Sequence, residues 1–165
     1  MNVQRYYWDT FSTLKRDQIY ITLQVEKLDN IERCLNIFAA IASSTAIAGW
    51  ALWQHASFMW ACIIALSQVY SAAKPHLPFG LRLRSLHNLA PDIEALTLSA
   101  ERDWFRVSRG ELTEDEIIDR ATAIKEKKVQ ATQKHLKGVV LPEQGKLTEL
   151  ADTKATAYMK NFMEE

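Results

Sequence analysis

The chain has 165 residues, of which 20 are Lys or Arg and 20 are Asp or Glu, so its formal net charge is zero. This balance argues against a protein that coats nucleic acid through bulk charge. A hydrophobic content of 48% excludes a disordered chain. Two cysteines are too few for a disulfide-stapled scaffold, no Cys/His spacing is typical of a metal site, and no glycine-rich phosphate loop is present.

Residues 1–33 are predicted to form an amphipathic helix. Large apolar residues recur at heptad spacing, and no Pro or Gly interrupts them. The apolar seam consists of Phe11, Leu14, Ile21, Val25, Leu28 and Leu35. Two interpretations are open: the seam packs on the chain's own C-terminal region, or it makes a coiled-coil contact between subunits.

A long segment without charge follows. No Asp, Glu, Lys or Arg occurs from Cys34 to Ala73, a run of 40 residues in a chain that is 24% charged. About 20 helical residues cross the hydrocarbon core of a membrane, so the run is long enough for two crossings. We therefore predict a transmembrane hairpin over residues 34–74, with helices at about 35–53 and 58–74 joined by a polar turn. The alternative is a buried helical hairpin in a soluble protein.

The flanks of this segment predict its orientation. Basic residues lie beyond both ends of the run, whereas the turn between the two helices has no Lys or Arg. Under the positive-inside rule, both termini are then cytoplasmic.

Four polar residues of the hairpin fall near the predicted membrane midplane, about 14 Å from the turn. These pore-lining candidates are Ser43, Ser44, Ser67 and Gln68. An amide in hydrocarbon is costly unless it is paired or hydrated, so Gln68 is expected to face protein or water. Two interpretations are open: a Gln–Ser hydrogen bond inside the hairpin, or a polar ring around a pore. Two helices cannot enclose a pore, so the second requires a homo-oligomer, with a tetramer as the expected assembly.

Residues 75–165 are predicted to form a helical cytoplasmic region. Pro91 fits a bend or a fresh helix start. The apolar face that follows it consists of Ile93, Leu96, Ala100, Trp104 and Val107. No β pattern is present, so the whole chain is expected to be an all-α membrane protein.

The end of this region contains two further predicted helices. Thr113 and Glu116 have the spacing of a capping box, which marks a helix start. The predicted inward face of that helix is Ile117, Ala121, Ile124 and Val129. A last, weaker helix is spaced by Leu147, Leu150, Lys154 and Tyr158.

Positive charge is concentrated on the late half of the helix that begins after Thr113. Because acids precede bases along it, complementation of the helix macrodipole is a sufficient explanation. The functional interpretation is an anion site for a nucleotide or oligonucleotide. The ligand-binding candidates are Arg82, Arg84, Lys125, Lys127, Lys128 and Lys134. The two arginines could instead bind anionic lipid headgroups. No nucleophile–base pair or metal cluster indicates an enzyme, and no cofactor or metal is expected.

The layout of an N-terminal helix, two close transmembrane helices and a helical tail resembles the SLATT effectors, two-transmembrane partners of nucleotide-signalling enzymes in bacterial defence. The local similarity lies in WFRVSRGELTEDE, from Trp104 to Glu116. This segment looks like the family's hinge between two helices, an aromatic–x–Gly–x–Leu/Ile–Ser/Thr–x–Glu-Glu pattern. The resemblance covers residues 5–137, and no catalytic residue carries over because the family has none.

The resemblance implies an oligomeric pore in the bacterial inner membrane, gated by a nucleotide or oligonucleotide that a partner nucleotidyltransferase makes. Opening would depolarise the infected cell and stop phage replication. The alternative is a non-conducting two-span anchor or assembly subunit whose helical tail binds a soluble partner. A holin-type lysis protein is a third possibility, but holins need little beyond their spans, and the long tail argues against it.

Overall fold

A computed structural model of the chain has five α-helices and no β-strand in the part of the chain that it describes. The helices are α1 (Val3–Leu52), α2 (Ser57–Ala73), α3 (Pro78–Ser108), α4 (Glu114–His135) and α5 (Gly145–Lys160). The described backbone comprises residues 2–52, 57–73, 78–142 and 144–162, and side chains are described there except at 42–52, 57, 60, 78 and 79. The all-α prediction is confirmed.

The N-terminal segment and the first helix of the predicted hairpin form one continuous helix, α1, of 50 residues. A helix already nucleated gains one backbone hydrogen bond for each residue added, and no Pro interrupts it. The helix ends predicted on either side of the turn, 53 and 58, lie within one residue of Leu52 and Ser57. The turn itself, at 53–56, and the predicted break at 74–77 lie outside the described residues.

Within the described residues, no helix combines the length and the apolar character needed to cross a membrane. The α2 helix has 17 residues, which correspond to about 25 Å along the helix axis. The membrane part of the fold prediction therefore stays a prediction.

The chain divides into two compact units. Unit 1 combines Met1–Glu26 with Leu81–Glu165, so the beginning of α1 shares a hydrophobic core with α3, α4 and α5. Unit 2 is Lys27–Gly80 and contains the rest of α1 together with α2. The N-terminal part of the seam thus packs on the chain's own C-terminal region, which is the first of its two interpretations.

The centre of unit 1 is an apolar stripe on α1 formed by Tyr7, Phe11 and Leu14, all almost completely buried. These residues lie three or four positions apart and therefore share one face of the helix. They pack in one cluster with Ile93 and other buried residues of the later helices. The Tyr7 hydroxyl donates a hydrogen bond to the Ala100 carbonyl oxygen at 3.0 Å, so its one polar atom is satisfied. Burial raises the pKa of Tyr7 well above its usual value.

The α3 helix runs through Pro91 without a fresh start. Proline lacks an amide hydrogen, so the helix makes one backbone hydrogen bond fewer there. Leu89 and Ile93, on either side of it, are both buried in the core of unit 1, and this packing holds the helix together. The predicted face of α3 is confirmed at Ile93, Ala100 and Val107, which are buried.

The α4 helix begins with the predicted capping box and buries Ile117, Ala121 and Ile124. The prediction for Val129 is wrong, because its side chain is 53% exposed. Val129 lies five residues after Ile124, which turns it about 140° away from the buried stripe.

The α5 helix buries a different face from the predicted one. Its buried residues are Ala151, Ala155 and Met159, spaced four apart, whereas Leu150 is exposed. The predicted stripe is offset by one residue, or about 100° around the helix.

The capping box generates a stability prediction. The Thr113 hydroxyl accepts the Glu116 backbone N–H at 3.4 Å, and a Glu116 carboxylate oxygen accepts the Thr113 backbone N–H at 2.8 Å. Thr113→Ala should lower the free energy of unfolding by about 1 kcal/mol, whereas Thr113→Ser keeps the hydroxyl and should stay close to the parent. Urea unfolding followed by far-UV circular dichroism measures both, and equal losses in the two variants would contradict a capping role.

The contribution of the capping box to the free energy of unfolding should decrease at low pH. Hydrogen bonds from the Thr113 backbone and side chain lower the pKa of Glu116. Its stabilising contribution is therefore present above the unfolded-state pKa and is lost as the pH falls through the lowered folded-state pKa.

Candidate functional site

The four candidate lysines of α4 lie in two separate clefts of unit 1. Lys125 and Lys128 line a cleft between α1 and α4, and Lys127 and Lys134 line another between α3 and α4. Helix geometry explains this division, because residues three or seven apart share a face whereas residues two apart do not. One chain therefore does not present all four lysines to a single ligand.

The α1–α4 cleft has a volume of about 270 Å³, and its cations already have partners. Lys125 Nζ donates to the Tyr6 hydroxyl oxygen at 2.8 Å and lies 4.3 Å from the centre of the Tyr6 ring. Lys128 forms an ion pair with Asp17. Asp9 also lines this cleft. An anion that entered would meet a carboxylate and would compete with existing contacts.

The α3–α4 cleft has a volume of about 430 Å³, and the carboxylate of Asp92 is part of its lining. One Asp92 carboxylate oxygen lies 3.4 Å from Lys134 Nζ and 2.8 Å from His135 Nε2. The hydrogen bond with His135 is the main cause that lowers the pKa of Asp92. Lys127 is exposed and forms no ion pair with any side chain that the structure describes. Of the four lysines, Lys127 is the one whose charge is left for a ligand.

The two candidate arginines lie near the start of α3, outside both clefts. Arg82 is half-buried and Arg84 is exposed, and neither lines the clefts that contain the lysines. The structure does not bring the arginines and the lysines into one site.

The described pore-lining candidates of unit 2 have different environments. Ser67 is buried, and its hydroxyl donates to the Ile64 carbonyl oxygen of its own helix at 2.8 Å. Gln68 is exposed, and its amide makes no hydrogen bond with the described residues. Ser43 and Ser44 lie in α1, but their side chains lie outside the described set. The Gln–Ser hydrogen bond is therefore not made between Ser67 and Gln68.

Unit 2 exposes large apolar side chains on both of its helices. On α2, Phe58 is 80% exposed and Val69 is 66% exposed. The other exposed members are Ile31, Ile37, Phe38, Ile41, Met59 and Leu66. Single apolar side chains are common on protein surfaces, whereas large exposed apolar patches are typical of sites of contact with proteins or membranes.

Sequence reasoning missed a third cleft of unit 1, which we call the aromatic cavity. It has a volume of about 300 Å³, and its lining consists of Asn2, Gln4, Arg5, Trp8, Trp104 and Phe162. The Trp8 ring centre lies 4.7 Å from that of Trp104 and 6.4 Å from that of Phe162. The three rings come from α1, α3 and the chain after α5. Because they are far apart in sequence, no local sequence motif predicts that they form one cluster.

No group of three or more His, Cys, Asp or Glu side chains in the described ranges is arranged to hold a metal ion. The chain matches no known protein-family profile, no curated protein and no solved structure. The resemblance to the SLATT effectors accordingly rests on the layout and on the hinge residues from Trp104 to Glu116.

The pairing of the α4 lysines generates a prediction that separates a structural role from a binding role. Lys128→Glu places a second carboxylate beside Asp17 and should lower the free energy of unfolding by about 1 kcal/mol. Adding Asp17→Lys should restore most of that loss. Lys127→Glu is the matched control and should stay within about 0.5 kcal/mol of the parent. Urea unfolding measures all three, and equal losses at 127 and 128 would show that the ion pair contributes nothing.

Proposed function

We propose that this chain is an oligomeric pore-forming membrane effector of bacterial anti-phage defence, gated by a nucleotide or oligonucleotide signal. When open, it would depolarise the inner membrane. The observation that carries the proposal is the exposed apolar surface of unit 2, which coincides with the charge-free segment from Cys34 to Ala73.

The exposed apolar side chains need a medium that removes them from water. Each large apolar side chain gains about 1.5–3 kcal/mol when it is fully buried, so Phe58, Val69 and their neighbours favour transfer into lipid or against other copies. No Asp, Glu, Lys or Arg side chain within the segment opposes that transfer. In a hairpin that assembles in a membrane, these side chains would contact both lipid and other copies of the chain.

The described part of α2, Ser57–Ala73, accounts for about 25 Å of helix, against a hydrocarbon core of about 30 Å. A difference between helix length and bilayer thickness is accommodated by local thinning of the bilayer and by oligomerisation, at a cost of fractions of a kcal/mol per Å. A homo-tetramer would let each α2 meet protein on one side and lipid on the other.

Gln68 is the side chain that distinguishes a pore from a simple anchor. An unpaired amide in hydrocarbon costs several kcal/mol, and Gln68 lies next to the exposed Val69 without a hydrogen bond to the described residues. Around the axis of an oligomer, one amide from each subunit would find water and its counterparts. Ser67 has no such need, because its hydroxyl is satisfied by Ile64.

Unit 1 would receive the signal. Lys127, Arg82 and Arg84 offer positive charge outside the paired contacts of Lys125, Lys128 and Lys134, and a polyanion could meet the same cations from several subunits at once. Such multivalent contact would multiply weak individual affinities. The signal would come from a partner nucleotidyltransferase.

A second candidate function is a non-conducting two-span anchor whose helical region binds a soluble partner. The observation that favours it is the exposure of apolar side chains on unit 1 as well, with Leu98 and Val140 exposed. An anchor needs this surface but has no use for the Gln68 amide. Conduction therefore separates the two functions.

Topology is the first test of the proposed function. Reporter domains fused at Glu165 and inserted at His55 should lie on opposite sides of the inner membrane, with the reporter at Glu165 cytoplasmic, because the charge-free segment is expected to cross twice. A protein that stays in the supernatant after ultracentrifugation without detergent would contradict the proposal.

Conduction through Gln68 is the second test. Gln68→Leu should leave the protein oligomeric but abolish depolarisation, because a ring of leucines blocks ions by dewetting. Ser67→Ala is the matched control and should conduct like the parent. Voltage-sensitive dye fluorescence and native mass measurement on the same samples give both quantities. Full current from a normally assembled Gln68→Leu protein would remove Gln68 from the pore.

A further inference from the structure

The aromatic cavity is an open cleft whose lining combines three aromatic rings with a polar rim. Its volume of about 300 Å³ lies at the lower end of the range for such sites. Trp8 is tilted by 54° against Trp104 and stands nearly edge-on to Phe162, at 72°. Trp104 is already stacked on Tyr7, at 6.4 Å between ring centres, but Trp8, Trp104 and Phe162 all remain partly exposed. A flat ligand would stack on this exposed ring surface, as a nucleobase does on aromatic rings whatever its sequence identity.

The polar rim of the cavity suits a phosphorylated ligand. Arg5 is exposed and forms no ion pair with the described side chains, and its guanidinium can bind a phosphate through two hydrogen bonds. No Asp or Glu is among the residues that line the cavity. The α1–α4 and α3–α4 clefts each contain an aspartate instead. A phosphate would therefore meet less repulsion in the aromatic cavity than in the clefts of the lysines.

Two amide side chains of the rim each keep one hydrogen-bonding group for a ligand. Gln4 Nε2 donates to the Val107 carbonyl oxygen at 3.3 Å, which leaves Gln4 Oε1 as an acceptor. Asn2 Oδ1 accepts the Arg5 backbone N–H at 3.2 Å, which leaves Asn2 Nδ2 as a donor. The two side chains thus offer one donor and one acceptor, the two kinds of group that pair with the mixed hydrogen-bonding edge of a nucleobase.

The position of Arg5 is unfavourable for the helix itself. It lies in the first turn of α1, which contains no acidic residue, and a cation there opposes the positive end of the helix macrodipole. An anionic ligand would remove this conflict, because it would interact favourably with both the guanidinium and the helix end.

We propose that the aromatic cavity binds a nucleotide, with the base against Trp8, Trp104 and Phe162 and the phosphate on Arg5. This inference rests on the proposed nucleotide gating, for which it assigns a site distinct from the lysine clefts. The rings come from α1, α3 and the chain after α5, so an occupied cavity ties these three parts of unit 1 together.

The test uses the purified full-length chain carrying Trp50→Phe, Trp53→Phe and Trp60→Phe, which leaves Trp8 and Trp104 as its only indoles. Titration with the 5′-monophosphates of adenosine, guanosine, cytidine and uridine should quench tryptophan fluorescence saturably, most strongly for the purines. Inorganic phosphate, which has no base to stack, should not quench. The absence of saturable quenching by all four monophosphates at millimolar concentration would overturn the proposal.

Variants then assign the contacts. Arg5→Gln should weaken binding of adenosine monophosphate roughly tenfold without changing the affinity for adenosine. Its Tm should be unchanged or slightly raised, because the unfavourable charge is removed. Trp8→Phe keeps a ring and should retain most of the affinity. Trp8→Leu should weaken adenosine and its monophosphate alike. Equal affinities of Arg5→Gln and the parent for the monophosphate would contradict the assigned phosphate contact.

Lys127→Gln is the matched cation control and separates the two proposals. If it loses binding and Arg5→Gln does not, the ligand lies in the α3–α4 cleft, so the cavity proposal fails and nucleotide gating stands. If Arg5→Gln alone loses binding and the nucleotide leaves the membrane potential of vesicles unchanged, the cavity proposal stands and the gating fails.

Discussion

Unit 1 depends on the burial of one helical stripe, Tyr7, Phe11 and Leu14 of α1. The other helices of the unit supply apolar faces that pack on this stripe, and two of the three buried residues of α5 are alanines. Without the large side chains of α1, these faces would leave a void, and an unfilled cavity in a core is costly. The segment that is first in sequence therefore completes a core whose other members come from the last half of the chain.

The side chains of α1 have different surroundings in the two parts of the helix. Its beginning is covered by protein, and the Tyr7 hydroxyl and Asp17 have polar partners there, although Gln18 Oε1 and Gln24 Oε1 are buried without one among the described residues. After Arg33 it has no charged residue, and Ile37 and Ile41 are exposed. A helix without Pro supplies the backbone hydrogen bonds of both parts equally, so the difference lies only in what surrounds the side chains. This change of composition is the reason for proposing a membrane environment for the second part.

Local signals predicted the helices well, and long-range packing explains where prediction failed. The capping box at Thr113 and the stripe from Ile117 to Ile124 depend on residues a few positions apart, and both are present. The inward prediction for Leu150 fails because helical spacing alone does not say which of two adjacent stripes a neighbour covers, whereas Val129 is already out of register with the stripe that ends at Ile124. The aromatic cavity was missed for a related reason, because Trp8 and Phe162 are at opposite ends of the chain and only the fold brings their rings together.

Competition with existing partners decides which cations of unit 1 can serve a ligand. A phosphate that bound Lys128 would have to separate it from Asp17, and one that bound Lys134 would approach Asp92. Each exchange gives up one charge contact to gain another, so the net gain is small. Arg5 has no such partner among the described side chains, and its contact with a phosphate would replace only water. Because the helix end beside it is also positive, we expect a phosphate there to gain more than at the paired Lys128 or Lys134, although α4 has the larger number of cations.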